Sequence, residues 1–426
     1  MKVLLVGSGG RENAIAWKLS LSPRVQKIYI APGNGGTALE DKCENIAVNA
    51  DDLQGLLTFA CQNDIDYTVV GPEIPLSLGI VDLFEANGLK VFGPCQAAAQ
   101  IEASKAFAKE LMTVAGVPTA EYKEFKKADE AKRYVQEQGT PIVIKADGLA
   151  AGKGVTVAMT EQEALDAIDD ILVKKIFGVA SAKVVIEQFL TGQEVSYLVM
   201  TDGRTVVPLA STQDHKAVYD GDKGPNTGGM GAYSPAPVLA DEQYAKVTDI
   251  VIRPVLDEFR KRDITYKGIL YAGLMVSESG DIKVIEFNCR FGDPETQVLL
   301  PKMSSDLNDH FMAVIEDRLD KEKVTWSDGS VATVVLASEG YPGDYANGYE
   351  ITGIVDAQKV EGVKVFHAGT AVKDGKLVTA GGRVLNVTAQ GKDLRDALKR
   401  IYTAIDSISF QGMHYRKDIG HRALKA

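Results

Sequence analysis

Residues 1–12, MKVLLVGSGGRE, pass directly from an apolar run at residues 3–6 into a glycine-rich turn. An apolar strand followed by glycines and then a helical pattern is typical of the first β-α unit of an α/β protein. The same order of strand, turn and helix repeats through the first hundred residues. This rhythm predicts a doubly wound parallel sheet, in which ligands lie beyond the carboxyl ends of the strands. We expect its strands at 2–6, 26–30, 67–71 and 90–93 and its helices at 11–20, 53–63 and 80–87, and beyond this sheet a further helix at 105–115 that ends before Val117 and Pro118.

The first glycine turn leaves two interpretations open. A dinucleotide-binding turn would need a third glycine where Glu12 stands and an acidic residue at the end of the second strand, which instead ends in Ala31 and Pro32. These two departures count against a nicotinamide-dependent oxidoreductase. Because backbone amides at a helix N-terminus favour anions, a small phosphate held together with Arg11 is one interpretation. A tight turn that binds no ligand is the other.

The composition is that of a folded enzyme. The chain has 426 residues, of which 45% are hydrophobic and 25% charged, a length that suggests about three domains. Its net charge of −11 disfavours a protein that binds nucleic acid through its whole surface. The apolar runs are far shorter than the roughly 20 residues that span a bilayer, and four cysteines without a CxxC pair do not form a disulfide scaffold. We therefore expect a cytoplasmic enzyme that contacts neither nucleic acid nor membrane.

Residues 148–154, GLAAGKG, resemble a phosphate-binding Walker A loop but do not match it. That motif has four residues between its glycines and Ser or Thr after the lysine, whereas three residues stand here and a glycine follows Lys153. Strand patterns at 141–146 and 155–159 flank the loop, so we expect a hairpin tip that either covers a triphosphate or is a plain turn. Lys145 lies in the first of these apolar strands. Buried there it would need a negative charge, such as that of ATP phosphates, and at a sheet edge it would need none.

Residues 286–295, EFNCRFGDPE, contain the densest group of candidate site residues. Residues two apart on a strand share a face, so Phe287 is expected in the core and the oxygens of Glu286 and Asn288 on the opposite side. Hard oxygens in this arrangement suit Mg²⁺. Arg290 offers a planar fork for a carboxylate or phosphate. A surface strand of mixed charge is the alternative, and this density of functional residues disfavours it.

Two further segments carry weaker signals. Residues 211–237 are rich in Gly, Pro and Asp and predict a long irregular, functional loop. His215 in this loop could act as an acid or base, although a histidine that only orients the loop is the commoner case. A strand ending at 187–190 with Glu194 beyond it could serve adenine and ribose, although an ordinary amphipathic strand explains the pattern as well.

Together these motifs resemble the ATP-grasp ligases, and within them the phosphoribosylamine–glycine ligase family. The resemblance extends over essentially the whole chain and rests on two long motifs, DHKAVYDGDKGPNTGGMGAYSP at 214–235 and VIEFNCRFGDPETQ at 284–297. Shorter motifs of the same family are GSGGRE at 7–12, PGNGGTA at 32–38, GPEIPL at 71–76, IKADGLAAGKGV at 144–155, LASEGYP at 336–342, VFHAGT at 365–370, GGRVLNVTA at 381–389 and YRKDIGHRA at 415–423.

The resemblance implies an α/β architecture in three domains. These are an N-terminal doubly wound domain at 1–103, an ATP-grasp domain at 104–330 with a small lid subdomain at about 122–190, and a β-rich α+β domain at 331–426. It also implies a reaction of purine biosynthesis. ATP, glycine and 5-phospho-β-D-ribosylamine would give ADP, phosphate and glycinamide ribonucleotide through glycyl phosphate, with Mg²⁺ or Mn²⁺. We expect a monomer.

The resemblance also implies roles for particular residues. The catalytic residues would be Lys145, Asp214 and Arg290, and the metal ligands Glu286 and Asn288. The residues expected to bind ATP or the other substrates are Gly9, Gly10, Arg11, Lys105, Lys145, Lys153, Glu187, Leu190, Glu194 and Asp293.

Two positions depart from the pattern of these families. Asn13 stands where the family often has histidine, and Leu274 stands about where many ATP-grasp enzymes have a further acidic metal ligand. Two other functions remain as alternatives to the predicted ligase. One is a nucleotide-binding module without catalysis, and the other is a carboxylate–amine ligase of the biotin-carboxylase-like branch with a different acceptor.

Overall fold

The computed structural model describes residues 1–149, 154–239 and 241–425. Lys153, predicted to contact ATP, lies outside the described residues, as does most of the 148–154 loop. In the described part of the chain, no helix has both the length and the apolar character needed to cross a membrane.

The first hundred residues form a five-stranded parallel sheet, which confirms the predicted doubly wound fold. Lys2–Gly7 is the central strand, and its residues Val3 to Val6 are fully buried because the sheet is covered on both faces. In spatial order the strands are Cys43–Asn45, Lys27–Pro32, Lys2–Gly7, Tyr67–Val70 and Val91–Phe92. The helices are Gly10–Ser20, Leu53–Gln62, Glu73–Ser77, Ile80–Ala86 and Gln96–Ala103, with one short turn at Thr37–Leu39.

A four-stranded antiparallel sheet follows and has its own hydrophobic core. One of its helices, Glu161–Ile168, begins at Thr160, whose hydroxyl accepts a hydrogen bond from the backbone N–H of Glu163 in a capping box. The strands in spatial order are Tyr122–Phe125, Val184–Gln188, Ile142–Ala146 and Val155–Ala158. The helical segments are Ala128–Gln138, Glu161–Ile168, Asp169–Val173 and Gly178–Ala182.

A second four-stranded antiparallel sheet faces the first. Helix Lys105–Ala115, where predicted, begins at Ser104 and ends at Gly116, whose φ of 68° suits glycine. The strands in spatial order are Val206–Pro208, Gln193–Thr201, Gly268–Val276 and Ile282–Asn288. The helical segments are Lys105–Ala115, Asp241–Val247, Thr248–Ile252, Arg253–Lys261, Thr296–Lys302, Leu307–Ile315 and Leu319–Lys321.

The last sheet has six strands and draws on two distant parts of the chain. Gln213–Asp214 and Gly231–Ser234 join it at the edge next to Ser330–Ser338. Its other strands are Arg383–Gly391, Val363–His367 and Met413–His414, and two separate hairpins pair Thr370–Lys373 with Lys376–Thr379 and Ala217–Tyr219 with Lys223–Asn226. The helices are Ile354–Ala357, Leu394–Ile405 and His421–Lys425.

The prediction of one irregular loop at 211–237 is wrong, because this segment contains four short strands. Each strand is only two to four residues long, too short to give a periodic pattern. Gly231–Ser234 joins Gln213–Asp214 to Ser330–Ser338, which lies about a hundred residues further on, and the other two strands pair with each other.

Candidate active site

Two lysines share one buried carboxylate where the two antiparallel sheets meet. The Nζ of Lys145 lies 2.9 Å from Oε1 of Glu187, and the Nζ of Lys109 lies 2.8 Å from Oε2 of the same residue. Burial would raise the pKa of Glu187, but the two ammonium groups outweigh it and hold that pKa below its usual range. Burial lowers the pKa of Lys109 to about 8, against the opposing charge of Glu187. The charge that the sequence required for a buried Lys145 therefore comes from Glu187.

Lys105 lies beside this group at the start of its helix. Asp147 fixes the helix start, since its Oδ1 accepts hydrogen bonds from the Ser104 hydroxyl at 3.0 Å and from the Ala106 N–H at 3.1 Å. The Lys105 ammonium donates to the carbonyl of Gly148 at 2.8 Å. Burial lowers the pKa of Lys105, and the Glu286 carboxylate partly offsets this effect. Lys105 and Glu286 are thus electrostatic neighbours, although 181 positions separate them in the sequence.

Glu286 and Asn288 lie on one face of the strand Ile282–Asn288, as predicted, and Phe287 is buried on the other. The Nζ of Lys145 donates to the carbonyl of Ile285 at 3.2 Å, so the first sheet reaches this strand directly. Two side-chain oxygens and two lysines therefore converge between the sheets.

The neighbouring strand supplies no further acidic group. Gly273 pairs with Glu286, and Tyr271 pairs with Asn288. Leu274, at the position noted in the sequence, is fully buried in the core. Among the described residues, no group of three or more His, Cys, Asp or Glu side chains could hold a metal ion.

Arg290 is held by two carboxylates. Its Nε donates to Oε2 of Glu73 at 3.1 Å and an Nη to Oε1 of Glu102 at 2.7 Å. Further bonds reach Oδ1 of Asn288 at 3.2 Å and the carbonyl of Phe291 at 3.1 Å. A guanidinium has five N–H donors, and four hydrogen bonds to described residues engage this one. Arg290 thereby connects the strand Ile282–Asn288 to the N-terminal domain.

Glu12 occupies the N-terminal glycine turn. Its carboxylate accepts hydrogen bonds from the Gly9 N–H at 2.6 Å and from Nε of Arg11 at 2.5 Å. A Cβ at Gly7 or Gly71 would clash with this side chain, so both turns are built around it. The Glu12 carboxylate stands near the helix N-terminus, where a dinucleotide phosphate would bind, and this agrees with the rejection of a nicotinamide site.

Of the three turn residues predicted to bind substrate, Gly9 lines the pocket described below. The Arg11 guanidinium points inward and donates to the carbonyl of Phe291 at 3.1 Å. A Cβ at Gly10 would meet the side-chain amides of Asn386 and Gln297. The Arg11 side chain is thus engaged by protein groups, and the phosphate contact of Gly10 and Arg11 stays a prediction.

The pocket that Gly9 lines lies between the N-terminal turns and the last sheet. Its volume is about 410 Å³. Asp293, predicted as a binding residue, lies in its wall, with Oδ2 at 3.5 Å from an Nη of Arg383. Burial opposes ionisation of Asp293, but Arg383 and Arg11 outweigh it and hold the pKa below the usual range. The lining residues are Ser8, Gly9, Pro32, Gly33, Asn34, Asp293, Tyr341, Ala368, Gly369, Thr370, Ala380 and Arg383.

Asp214 belongs to a second charged group. The Nζ of Lys216 lies 2.7 Å from Oδ2 of Asp214, which is buried. Oε1 of Glu295 accepts hydrogen bonds from the Ser196 hydroxyl at 3.0 Å and from the Tyr271 hydroxyl at 2.7 Å. Burial would lower the pKa of Lys216, but Asp214 above all, with Tyr271 and Glu295, raises it well above the usual value. These residues form one buried network beside the strand of Asn288.

Glu194 lies between the two charged groups. Burial raises its pKa, Lys216 opposes this effect, and Asp214 and Glu286 add to it. Its backbone carbonyl accepts a hydrogen bond from Nε2 of Gln213 at 2.6 Å. The strand Val184–Gln188 ends two residues earlier than predicted, so Leu190 lies just beyond its end.

Asn13 contacts protein groups. It is fully buried, its Oδ1 accepts a hydrogen bond from the His367 N–H at 2.6 Å, and its Nδ2 donates to Glu40 at 3.1 Å. The departure noted at this position therefore concerns the contact between the N-terminal domain and the last sheet.

Sequence reasoning missed four residues of the site: Lys109, Glu12, Glu295 and Arg383. Lys109 had a usable signal, because it follows Lys105 by four positions on a predicted helix and therefore shares its face. Glu12 was noted in the sequence only because it stands where a dinucleotide-binding turn has its third glycine. Glu295 stood in the group at 286–295 and Arg383 in the motif at 381–389, but nothing local in the sequence assigned a role to either residue.

Two facing antiparallel sheets that enclose paired lysines and a Glu–Asn strand define this protein as an ATP-grasp enzyme. The chain belongs to the phosphoribosylglycinamide synthetase family. It matches the family's N domain over residues 1–102, its ATP-grasp (A) domain over 103–296 and its C domain over 331–422.

Curated relatives match along the full chain. A phosphoribosylamine–glycine ligase of Pseudomonas aeruginosa is 53% identical over 100% of this chain and 98% of its own length. The ligase of the same name from Nostoc is 52% identical over 99% of each chain. The activity of this chain is accordingly the ATP-dependent joining of glycine to 5-phospho-β-D-ribosylamine in purine biosynthesis.

Solved structures agree in fold. The crystal structure of phosphoribosylamine–glycine ligase from Thermotoga maritima has a TM-score of 0.83 and 32% identity, covering 98% of this chain and 100% of its own. A biotin carboxylase from Campylobacter jejuni has a TM-score of 0.75 at 15% identity, covering 100% of this chain and 95% of its own. This second likeness concerns the fold alone.

Proposed function

We propose that the reaction proceeds in two steps between the two antiparallel sheets, and that the residues described above carry it. ATP first phosphorylates the carboxylate of glycine, because a carboxylate has no adequate leaving group for attack by an amine. The amine of phosphoribosylamine then attacks the glycyl phosphate and releases phosphate. The observation that supports this most strongly is the convergence of Lys105, Lys145, Glu286 and Asn288 from two sheets.

Lys105 and Lys145 would bind the phosphates of ATP. Both ammonium groups are held near the strand of Glu286, Lys145 through the carbonyl of Ile285. In a site with little water, fixed cations stabilise the charge that develops on the transferred group. Lys153 would add a third cation, and backbone atoms near Leu190 together with Glu194 would hold adenine and ribose.

The oxygens of Glu286 and Asn288 fit a magnesium or manganese ion. They share a face, they are the hard donors such ions prefer, and the opposite residues Gly273 and Tyr271 leave the remaining positions to phosphate and water. The ion would neutralise phosphate charge during the transfer. Arg290, held in place by Glu73 and Glu102, has one remaining N–H for an oxygen of glycine or of glycyl phosphate.

Asp214 would bind the ammonium group of glycine. Glycine at neutral pH carries an ammonium group, and a buried carboxylate next to the nucleotide site is the group that could hold it. Asp214 is buried and pairs with Lys216, and its charge helps to raise the pKa of Glu194. In the free protein, Lys216 balances this charge.

The pocket between Gly9 and Arg383 would bind phosphoribosylamine. Arg383 is its cation and would hold the phosphate, and the Asp293 carboxylate would accept hydrogen bonds from the ribose hydroxyls. We assign the phosphate to Arg383, and the predicted contact of Arg11 with it stays a prediction. The monomeric state, the cytoplasmic location and the domain boundaries stay predictions from the sequence.

ADP release is the deciding measurement. We expect release with ATP, Mg²⁺, glycine and phosphoribosylamine together, and a much lower rate when any one is omitted. Binding of ATP without ADP release would support a non-catalytic nucleotide-binding module. Release with bicarbonate in place of glycine would instead support the biotin-carboxylase-like alternative.

A further inference from the structure

The hairpin formed by Ala217–Tyr219 and Lys223–Asn226 projects from the segment that carries Asp214 and Lys216. Residues 414–422, which we call the clamp segment, lie along this hairpin. The His414 ring contacts the carbonyl of Val218 at 2.9 Å, and the Arg416 guanidinium donates to the carbonyl of Ala217 at 3.0 Å. About 200 positions of sequence separate the two partners.

The clamp segment also holds the turn of the hairpin through its backbone. The Gly221 N–H donates to Oδ2 of Asp418 at 2.8 Å, and the Lys417 N–H donates to Oδ1 of Asp220 at 2.8 Å. The turn and the clamp segment thus each contribute one donor and one acceptor, and these two bonds fix the turn against the clamp segment.

Asp222 is the charged centre of this contact. Its Oδ1 lies 2.9 Å from an Nη of Arg416, and its Oδ2 lies 2.8 Å from an Nη of Arg422 and 3.4 Å from Nε2 of His421. Arg416 is fully buried and also forms two hydrogen bonds of 2.8 Å with Asp418. A buried guanidinium with two carboxylate partners is a rigid connection.

The clamp segment reaches the base of the hairpin through His215. This residue is fully buried, and its Nε2 accepts a hydrogen bond from the Gly420 N–H at 2.9 Å. Its Nδ1 faces Oδ1 of Asp222 at 3.7 Å. His215 stands between Asp214 and Lys216 in the sequence, so its bond to Gly420 connects these two residues to the clamp segment.

Backbone hydrogen bonds hold Asp214 and Lys216 from one side. The strand Gln213–Asp214 pairs with Gly231–Ser234, and the Gln213 side chain attaches this strand to Glu194. The Thr227 N–H donates to the Lys216 carbonyl at 2.8 Å. Past Asp214 the chain enters the hairpin directly, so the contacts of the clamp segment add to these bonds in positioning Lys216.

We propose that Asp222 is a positioning residue for glycine binding, which it promotes by fixing the hairpin that carries Asp214 and Lys216 against the clamp segment. This inference rests on the proposed role of Asp214. Asp222 itself touches no substrate. Its effect should therefore fall on the kinetics of glycine and leave ATP, bound by Lys105 and Lys145, largely unchanged.

The test compares Asp222→Asn with a matched control, Asp169→Asn. Both aspartates have side chains that are 32% exposed and form ion pairs, that of Asp169 with Lys132 at 2.7 Å. In Asp222→Asn we expect kcat/KM for glycine to fall about tenfold, the scale of a small misplacement, and KM for ATP to stay within about twofold. Asp222→Glu should recover most of the loss, and Asp169→Asn should match the wild type. Equal effects on glycine and ATP, or equal effects of the two Asn variants, would overturn the proposal.

Two further variants keep the result decisive. If Asp222→Asn does not fold, as judged by circular dichroism, Asp220→Ala removes the side-chain oxygen that accepts the Lys417 N–H and carries the same expectation. Unchanged glycine kinetics in that variant would overturn the proposal. Asp214→Asn tests the underlying role: if its glycine kinetics are normal, the proposed function of Asp214 fails. If Asp214→Asn is impaired and Asp222→Asn is normal, only the positioning role of Asp222 fails.

Discussion

The ammonium group of Lys109 lies 2.8 Å from Oε2 of Glu187. Because of this contact, Glu187 would keep a cation of its own if Lys145, on its other oxygen, turned toward a bound phosphate as we propose. Without it, release of Lys145 would leave a buried carboxylate uncompensated, at a cost of several kcal/mol. We therefore propose that Lys109 lowers the cost of bringing Lys145 to ATP.

This relationship predicts a dependence on pH. The pKa of Lys109 is about 8, so the ammonium group is present at pH 7 and mostly lost at pH 9. Above pH 8, Glu187 should retain Lys145 more strongly, and KM for ATP should rise. In Lys109→Arg, whose guanidinium stays charged throughout, KM for ATP should change little between pH 7 and 9. A parallel rise in both proteins would contradict the assigned role of Lys109.

Glu286→Gln should reduce kcat by about tenfold to a thousandfold, the scale for loss of one preorganised charge contact. The amide keeps the size of the side chain and removes the negative charge that a metal ion requires. ADP release at saturating ATP, measured over a range of Mg²⁺ concentrations, provides the readout. Glu278→Gln, an exposed site at the tip of the same hairpin, is the control and should behave as the wild type. An unchanged rate and unchanged Mg²⁺ dependence in Glu286→Gln would exclude the metal assignment.

Arg383→Gln should raise KM for phosphoribosylamine about tenfold to a hundredfold, because a hydrogen bond to a charged group contributes about 1.5–3 kcal/mol. The first step should survive, since Arg383 lies in the pocket and away from Lys145. Hydroxylamine, a small nucleophile that can capture glycyl phosphate, should therefore sustain ADP release in this variant at the wild-type rate. If both acceptors lose activity equally, the pocket is not the site of phosphoribosylamine.

Glu12→Gln should lower the free energy of unfolding by about 3–5 kcal/mol, the usual cost of removing one partner from a buried ion pair. Glu12 is 1% exposed, and its loss leaves the buried Arg11 without its closest carboxylate. Denaturant unfolding followed by fluorescence measures this change. Glu130→Gln, from an exposed pair with Lys127, should leave the unfolding midpoint in place. A midpoint for Glu12→Gln equal to that of the control would show that the turn does not depend on this carboxylate.

Local patterns were sufficient for the elements that bury a regular face. The strand predicted at residues 2–6 lies at Lys2–Gly7, and the helix predicted at 105–115 lies at Lys105–Ala115. The repeated order of strand, turn and helix in the first hundred residues gave the fold class. The pair Glu286 and Asn288 could be placed on one face because alternation along a strand is strict.

The rest depended on contacts between distant parts of the chain. The short strand Gly231–Ser234 lies between Gln213–Asp214 and Ser330–Ser338 and pairs with both, the second of which is about a hundred residues away in the sequence. The inward direction of Arg11 depends on Phe291, 280 positions away, and no local rule reveals it. Such side chains acquire their orientation only from the assembled domains.

The six-stranded sheet has a consequence for synthesis on the ribosome. Gly231–Ser234 cannot pair with Ser330–Ser338 until that strand emerges, and Ser330–Ser338 in turn pairs with Arg383–Gly391. Domains generally fold as they are made, from the N-terminal end, but the sheet that includes Asp214 stays incomplete until nearly all of this chain has been translated. Full activity should therefore appear late in translation, and a nascent chain that ends near residue 330 should expose an unpaired strand edge open to misassembly.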